Sequence, residues 1–335
     1  MMKRAFIILT LALLVVSAVS KAGEIKVNLP EVKLSGGISA TDFNKSRAES
    51  DGSSTNNIKL TDAVLELSGG DKFGGFDIAV GSILEPTVVG SVNNDNTAIV
   101  GDHYGILSGY VYALPLKGLE IDAGVLTTNV GYELAATYLN PNVTYGLVWN
   151  SQPFIYKGAR ATYSLTDDIQ LYAEYNRGDE LNGNSKDHAF AVGSTGMVKD
   201  VSYTFTYFDY GNYKNLIDFT LGYKIKNVQL ALNGDYQWLD EDSSKKGYGV
   251  ALYVIPEFGK ISVPFRAEYV KDKDNSRIYG FNNKGTYSLT VTPTYKLSDH
   301  TTVRAEYSYV KSNYDNAFNG SDHKGTASVQ LFFTF

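Results

Sequence analysis

The last eleven residues of the chain, Gly325 to Phe335, constrain its fold more than any other stretch. In a β-strand, successive side chains point to opposite faces. One face of this stretch carries the small or apolar residues Gly325, Ala327, Val329, Leu331, Phe333 and Phe335. The opposite face carries Thr326, Ser328, Gln330, Phe332 and Thr334. This length and pattern are typical of a strand that crosses a bilayer.

A single strand is not stable in lipid, because each unpaired backbone group costs several kcal/mol there. The terminal stretch is therefore expected to have partners that close into a barrel. The alternative is the edge strand of a soluble β-sandwich.

The amino terminus has the pattern of a secretory leader. Basic residues at Lys3 and Arg4 precede an apolar run from Ala5 to Val19 that is short for a transmembrane helix. Ser20 and Ala22 then place small residues where a signal peptidase cuts. We predict a cleaved signal peptide over residues 1–22 and a mature chain over residues 23–335; the alternative is an uncleaved anchor.

The rest of the chain repeats the pattern of its last strand. Stretches of about ten residues with alternating apolar and polar positions repeat along the chain. Short turns and longer polar loops connect them alternately, as in outer-membrane barrels. The seven short turns lie near Asp71, Pro115, Asp167, Lys199, Lys226, Phe258 and Ser298. With both termini on one side, this count predicts a single all-β, antiparallel, up-and-down transmembrane barrel of sixteen strands, with fourteen or eighteen as alternatives.

The alternation also assigns the two faces of the predicted barrel wall. Between Tyr287 and Tyr295 the odd positions are mostly apolar and the even positions are Ser or Thr. Val291 is therefore predicted to face lipid and Thr290 to face the lumen. Pro293 lies inside this strand, where proline is normally excluded because it lacks the ladder donor, and it predicts a bulge.

Charged residues recur on the face predicted to line the lumen. They are Glu120, Asp122, Arg160, Glu174, Asp218, Asp235, Arg266, Glu268, Arg304 and Glu306. As a set they are predicted to line a water-filled pore, where charge selects among ions. Seven of the ten are acids, which predicts a weak preference for cations. The alternative for a single pair such as Arg266 and Glu268 is an exposed ion pair worth about 0–1 kcal/mol.

The segment from Asn129 to Pro153 is too long for the hairpin pattern. Connections of this length are usually functional or disordered, and its Tyr, Leu and Trp content argues against disorder. We expect it either to pack into the barrel mouth and narrow the bore, with Glu133 at the constriction, or to form an extra hairpin or two additional strands.

Composition argues against several other functions. The absence of Cys excludes disulfides and Cys-based metal or redox sites. The net charge is −6, and removal of the basic leader makes the chain more acidic, so no nucleic-acid partner is expected. The four His residues lack metal-ligand spacing, and neither a nucleophile elbow nor an HExxH motif is present. No catalytic, cofactor or metal site is predicted.

The leader, the alternating strands and the terminal Phe335 resemble those of bacterial outer-membrane porins. Within that class, Gly131-Tyr132-Glu133, the Asn-rich turn after it, and Gly158 to Tyr163 resemble the β-barrel porin-2, or OmpL-like, group. The resemblance implies a Gram-negative outer-membrane location and passive diffusion of small hydrophilic solutes and ions. It also implies contact with outer-membrane lipid, assembly by the barrel-assembly machinery with Phe335 as its signal, and association as a homotrimer.

Three other functions remain open at this level. A substrate-specific channel would line its lumen with aromatic side chains, for which Tyr172, Phe208, Tyr253 and Phe332 are the candidates. An enzyme embedded in the barrel would need a Ser or Asp beside His188 or His323. A structural barrel would have a plugged bore.

Overall fold

The computed structural model describes residues 31–46, 54–89, 105–177, 188–281, 284–315 and 317–335. The predicted signal peptide lies outside these residues. The described chain forms one antiparallel sheet whose strands are β1 Glu31–Lys45, β2 Thr55–Asp71, β3 Gly74–Ile83, β4 Gly105–Leu116, β5 Leu119–Thr127, β6 Ile155–Ser164, β7 Ile169–Arg177, β8 His188–Val198, β9 Val201–Asp209, β10 Lys214–Ile225, β11 Val228–Leu239, β12 Lys246–Phe258, β13 Ile261–Ser262, β14 Phe265–Lys273, β15 Gly285–Val291, β16 Thr294–Lys296, β17 Thr301–Ser312 and β18 His323–Thr334. Two 3₁₀ turns, Thr137–Leu139 and Trp149–Ser151, lie between β5 and β6. Within the described ranges, no helix has the length and apolar character needed to cross a membrane.

The sheet closes on itself through its first and last strands. β1 pairs antiparallel with β18 from Gly37 opposite Thr334 to Lys45 opposite Thr326. Beyond the ladder, the Phe335 amide donates to the Gly36 carbonyl at 3.1 Å and the Gly36 amide donates back at 3.2 Å. Because β18 has partners on both sides, it is not the edge strand of a sandwich.

The eighteen strands make sixteen crossings of the barrel wall. β13 and β14 both pair with β12, and β15 and β16 both pair with β17, so each couple is one strand interrupted at a proline. The predicted sixteen-stranded barrel is confirmed.

The predicted bulge at Pro293 is wrong, because the pairing continues across the interruption without an inserted residue. Pro264 interrupts the adjacent strand at the same level. Proline lacks the ladder donor but keeps its carbonyl, and both carbonyls still accept backbone amides, Pro264 from Thr292 at 2.9 Å and Pro293 from Ala305 at 3.0 Å.

The two faces of the wall follow the alternation. On β18, Val329 and Leu331 are 54% and 51% exposed, whereas the intervening Gln330 is fully buried. On β15, Leu289 is 54% exposed and Thr290 is buried. The barrel thus presents apolar side chains outward and polar side chains inward, the arrangement of a sheet closed within lipid.

Candidate functional site

The residues between β5 and β6, numbers 129–153, fold back into the barrel interior; we call them the inner loop. All side chains from Asn142 to Val148 are buried. Hydrogen bonds join the inner loop to β2 at Asp62, to β10 at Asp218 and to β17 at Glu306. Of the alternatives left open by the sequence, the structure therefore selects packing into the barrel.

Carboxylates of the barrel wall accept the backbone amides of the inner loop. Glu306 accepts the amides of Val143 and Thr144 at 2.5 and 3.0 Å. Glu268 accepts the amide of Val148 at 3.2 Å. These buried amides lie outside the strand ladder and would be costly to leave unpaired. The wall carboxylates provide their acceptors, and such charge-assisted bonds are stronger than neutral ones.

Two more carboxylates anchor the ends of the inner loop. Asp218 accepts the Gly131 amide at 3.0 Å, and Asp62 accepts the Thr137 amide at 3.1 Å. A register shift between β1 and β2 inserts Thr61, so that both Thr61 and Asp62 are buried. The bulge thereby directs Asp62 toward the inner loop.

Basic side chains of the wall bind the carbonyl oxygens of the inner loop. Arg304 donates to the carbonyls of Asn140 at 2.6 Å and Thr137 at 2.8 Å. Lys214 donates to the carbonyl of Ser151 at 2.6 Å. Together with the carboxylates, these cations fix a backbone that is irregular apart from its two 3₁₀ turns.

Arg266 is the centre of a fully buried ion cluster. Its guanidinium contacts the carboxylate of Glu133 from the inner loop, and its Nε lies 3.1 Å from Glu268 Oε2. It also donates to the Thr144 carbonyl at 2.6 Å. A side chain at Gly146 would displace the Glu268 carboxylate from this cluster, because a Cβ there would lie 2.1 Å from Glu268 Oε1. The glycine lets the inner loop approach this cluster closely.

The inner loop is also held by packing and by the end of β3. The Tyr145 ring stacks on Trp149 with centroids 4.2 Å apart. The Tyr145 amide donates to the Pro86 carbonyl at 2.7 Å, and the Val88 amide donates to the Tyr145 carbonyl at 2.9 Å. A second segment of chain thus pairs with the inner loop inside the barrel.

Open space remains on the side of the barrel formed by β2 to β9. Two adjoining cavities of about 460 and 640 Å³ share Tyr110, Asn129 and Thr195 in their walls. We call them the upper and lower side cavities. The inner loop forms one wall of the upper cavity, with Leu134, Tyr138 and Leu139 among its lining.

The upper side cavity has an acidic wall, whereas the lower one is lined by both acidic and basic residues. Glu66 and Asp77 line the upper cavity and interact with each other. Glu120 and Asp122 line the lower cavity together with Lys72, Lys117 and Arg160. Arg160, opposite Asp122 in the ladder, is paired with Glu174 at 2.5 Å, so its charge is compensated.

The structure divides the ten predicted lumen residues into two groups. Glu120, Asp122 and Arg160 line the lower side cavity, and Glu174 is the partner of Arg160. The other six contact the inner loop or hydrogen-bond to residues that do: Asp218, Asp235, Arg266, Glu268, Arg304 and Glu306. Glu133, the predicted constriction residue, borders the upper cavity but is buried against Arg266.

Sequence reasoning missed Glu66 and Asp77. Glu66 lies between Leu65 and Leu67, and Asp77 lies between Phe76 and Ile78, so alternation places both on the polar face, but neither strand alone shows that they meet. The signal that could have found them is pairing, since Ser68 is opposite Asp77 and Glu66 is two residues away on the same face.

The aromatic candidates mostly lie outside the open space. Tyr253 is packed against Tyr132 with ring centroids 4.3 Å apart, and Phe208 is packed against Tyr156 at 5.6 Å. Tyr172 borders the lower cavity, and its hydroxyl bonds to Thr206 at 2.5 Å.

The histidines at the rim form no relay. Ser321 and Asp322 both contact Nδ1 of His323, at 3.2 and 2.7 Å, whereas a catalytic triad uses the two ring nitrogens separately. His188 Nδ1 lies 2.5 Å from the hydroxyl of Tyr175. Across the described ranges, no three His, Asp or Glu side chains are grouped to hold a metal ion.

Comparisons with known proteins find a matching family and several proteins with a similar fold. Residues 33–335 match the family model described as "Putative beta-barrel porin-2, OmpL-like". The outer membrane channel DcaP of Acinetobacter baumannii has a similar fold, with a TM-score of 0.68 at 13% identity over 94% of this chain and 100% of that chain. The trimer form of OmpT from Vibrio cholerae gives 0.63 at 12% identity over 92% and 100%. The anion-selective porin of Comamonas acidovorans gives 0.63 at 12% identity over 91% and 99%. No curated protein matches the sequence.

Proposed function

Because the chain belongs to the β-barrel porin-2, OmpL-like family, we propose that it carries small hydrophilic solutes and ions by passive diffusion, with a weak preference for cations. The family and the fold indicate an outer-membrane channel rather than an enzyme.

The side cavities are the observation that supports the proposal most directly. The inner loop occupies the side of the interior near β10 to β18 and leaves open space beside β2 to β9. A sixteen-stranded barrel is wide enough to keep a water-filled bore when one loop folds inward. Solutes would pass between the inner loop and the acidic wall.

The fold does not determine the sign of the ion preference, since the similarly folded Comamonas porin is anion-selective. The side chains are a better guide. Glu66 and Asp77 face the upper cavity without a basic residue beside them. In the lower cavity, Glu120 and Asp122 face Lys72 and Lys117, and Arg160 is compensated by Glu174, so the acidic excess lies in the upper cavity. The charge of Glu133 is shared with Arg266, so we assign it mainly to holding the inner loop. An acidic wall concentrates cations and so favours their passage.

Removing the acidic pair should reduce the preference for cations. In the double variant Glu66→Gln, Asp77→Asn, the reversal potential across a planar bilayer under a KCl gradient should move toward zero. The wild-type preference should fade near 1 M salt, where the Debye length is about 3 Å. The matched control Asp242→Asn, Asp299→Asn removes two exposed carboxylates and should behave like wild type. Anion preference in the wild type would reject the charge assignment.

Phe335 is proposed as the signal for assembly. Its backbone completes the barrel seam with Gly36, and its ring is half exposed on the outer face beside Phe333. Deleting Phe335 should reduce the amount of heat-modifiable, folded barrel in the outer membrane, whereas Phe335→Trp, which keeps an aromatic end, should not. Normal levels of the deletion variant would refute the role.

We further propose export by the predicted signal peptide, assembly by the barrel-assembly machinery and association as a homotrimer. The trimer form of the similarly folded OmpT supports the last point. The molecular mass of the protein extracted in mild detergent tests it directly.

A further inference from the structure

The upper and lower side cavities combine carboxyl groups with an apolar surface. We propose that together they form a binding site for organic cations with one ammonium group on an apolar body, such as arylalkylamines. The inference rests on the proposed channel function and names a class of solute that this channel would retain during passage.

The apolar part of the site is in the upper cavity. The inner loop presents Leu134 and Leu139, which are 53% and 55% exposed although they lie inside the barrel. Across from them the wall contributes Val64, Ile83 and Leu107. A channel for small inorganic ions gains nothing from such a surface, whereas an apolar solute body would cover it and release the water in contact with it.

Aromatic rings frame the same space. Tyr138 of the inner loop lies over Gly37, where a Cβ would come within 2.6 Å of its ring, and Phe154 closes the end of the loop against Trp149. Tyr110 stands between the upper and lower cavities. Rings at this boundary favour an ammonium group through their electron-rich faces.

The charged part of the site surrounds Tyr110. Asp77 is paired with Tyr110 in the ladder, and Glu120 and Asp122 line the lower cavity that Tyr110 also borders. Glu66 reaches Asp77 from the neighbouring strand. The upper cavity has no Lys, Arg or His among its described lining residues. A cation bound in the upper cavity would therefore meet Glu66 and Asp77 without a competing protein cation, whereas Lys72, Lys117 and Arg160 border the lower cavity.

Asp122 gives a separate reason to expect a hydrogen-bond donor from a bound solute in the lower cavity. Its side chain is 5% exposed and lies beside the carboxyl of Glu120, and its buried Oδ1 receives no hydrogen bond from a donor group among the described residues. A buried carboxylate oxygen is rarely left unpaired. Because Asp122 borders the lower cavity next to Tyr110, an ammonium donor bound there would satisfy it. The volume of about 460 Å³ in the upper cavity is within the range of small-molecule sites.

Block of the ion current by simple amines tests the site. We would compare 2-phenylethylammonium, ethylammonium and neutral 2-phenylethanol in planar bilayers at pH 7. Burial of the phenyl ring should lower the half-blocking concentration of 2-phenylethylammonium at least about tenfold below that of ethylammonium. The neutral alcohol, which lacks the charge, should block far less than 2-phenylethylammonium.

Two double variants separate the charged and apolar parts. Glu66→Gln, Asp77→Asn should raise the half-blocking concentration of 2-phenylethylammonium about tenfold. Leu134→Ser, Leu139→Ser should raise it severalfold and leave ethylammonium unchanged. The control Asp242→Asn, Asp299→Asn should change neither. Equal block by the two amines, or no change in either double variant, would overturn the proposal.

Failure of the site can be distinguished from failure of the channel function. If the folded barrel passes no current in KCl, the channel function is rejected. Calorimetric titration of the detergent-solubilised barrel with 2-phenylethylammonium then tests whether the binding site exists. Binding that weakens in both double variants would support the site. No binding, or binding insensitive to them, would overturn it. Normal KCl conductance without amine block would reject the site alone.

Discussion

Replacing Arg266 by methionine should release the inner loop from the wall while the barrel stays closed. Arg266 is fully buried between Glu133 and Glu268 and also holds the Thr144 carbonyl. Removing one partner of a buried ion pair costs about 3–5 kcal/mol, because the remaining charges are left uncompensated. The strand ladder does not depend on this side chain, so the lost free energy should weaken the packing of the inner loop against the wall and leave the barrel intact.

Single-channel conductance and limited proteolysis measure this release. The Arg266→Met channel should conduct more and fluctuate more than wild type, and residues 129–153 should become open to protease. Lys224→Met is the matched control, since Lys224 and Glu257 form an exposed pair worth about 0–1 kcal/mol. Wild-type conductance together with a protected loop would show that Arg266 does not hold the inner loop.

Placing a charge on the lipid face should cost the most stability within the barrel itself. Leu289 is half exposed on the outer face of β15, in the ladder between Ala267 and Tyr309. Leu289→Arg should lower the free energy of unfolding by about 2–4 kcal/mol if the site is near the midplane of the bilayer. Urea titration of the protein in lipid vesicles gives this value.

Thr204→Arg is the control for the opposite face. Thr204 is half-buried, points inward on β9 and borders the upper cavity. Arginine there can extend into water, so the loss of stability should be small, while the added positive charge should reduce the preference for cations. Similar losses of stability in the two variants would contradict the assignment of faces.

The barrel was predictable from the sequence because its rules are local. Alternation within a strand separates Leu289 from Thr290 whatever the rest of the chain does. The alternation of short turns and long loops gave the count of strands. Pro293 was misjudged because its effect depends on a neighbour, Pro264, that lies beside it only in the folded sheet.

The interior was less predictable because it depends on long-range contacts. Alternation shows that Glu306 and Asp122 both point inward, but it does not show that the inner loop covers the first and leaves the second beside a cavity. That difference follows from where residues 129–153 cross the bore. The role of the ten residues in lining a pore therefore remains a prediction, now focused on those beside the side cavities together with Glu66 and Asp77.

The positions of the wall side chains that bind the inner loop constrain the order in which the barrel assembles. The inner loop follows β5, yet Glu268, Arg304 and Glu306 lie on β14 and β17, more than a hundred residues later in the chain. Contacts between such distant residues form late, because the intervening chain must be ordered first. The first half of the chain thus carries the inner loop, and the second half supplies side chains that hold it in place. A nascent barrel would remain wide until its last strands arrive, and narrowing of the bore would mark the completion of the wall.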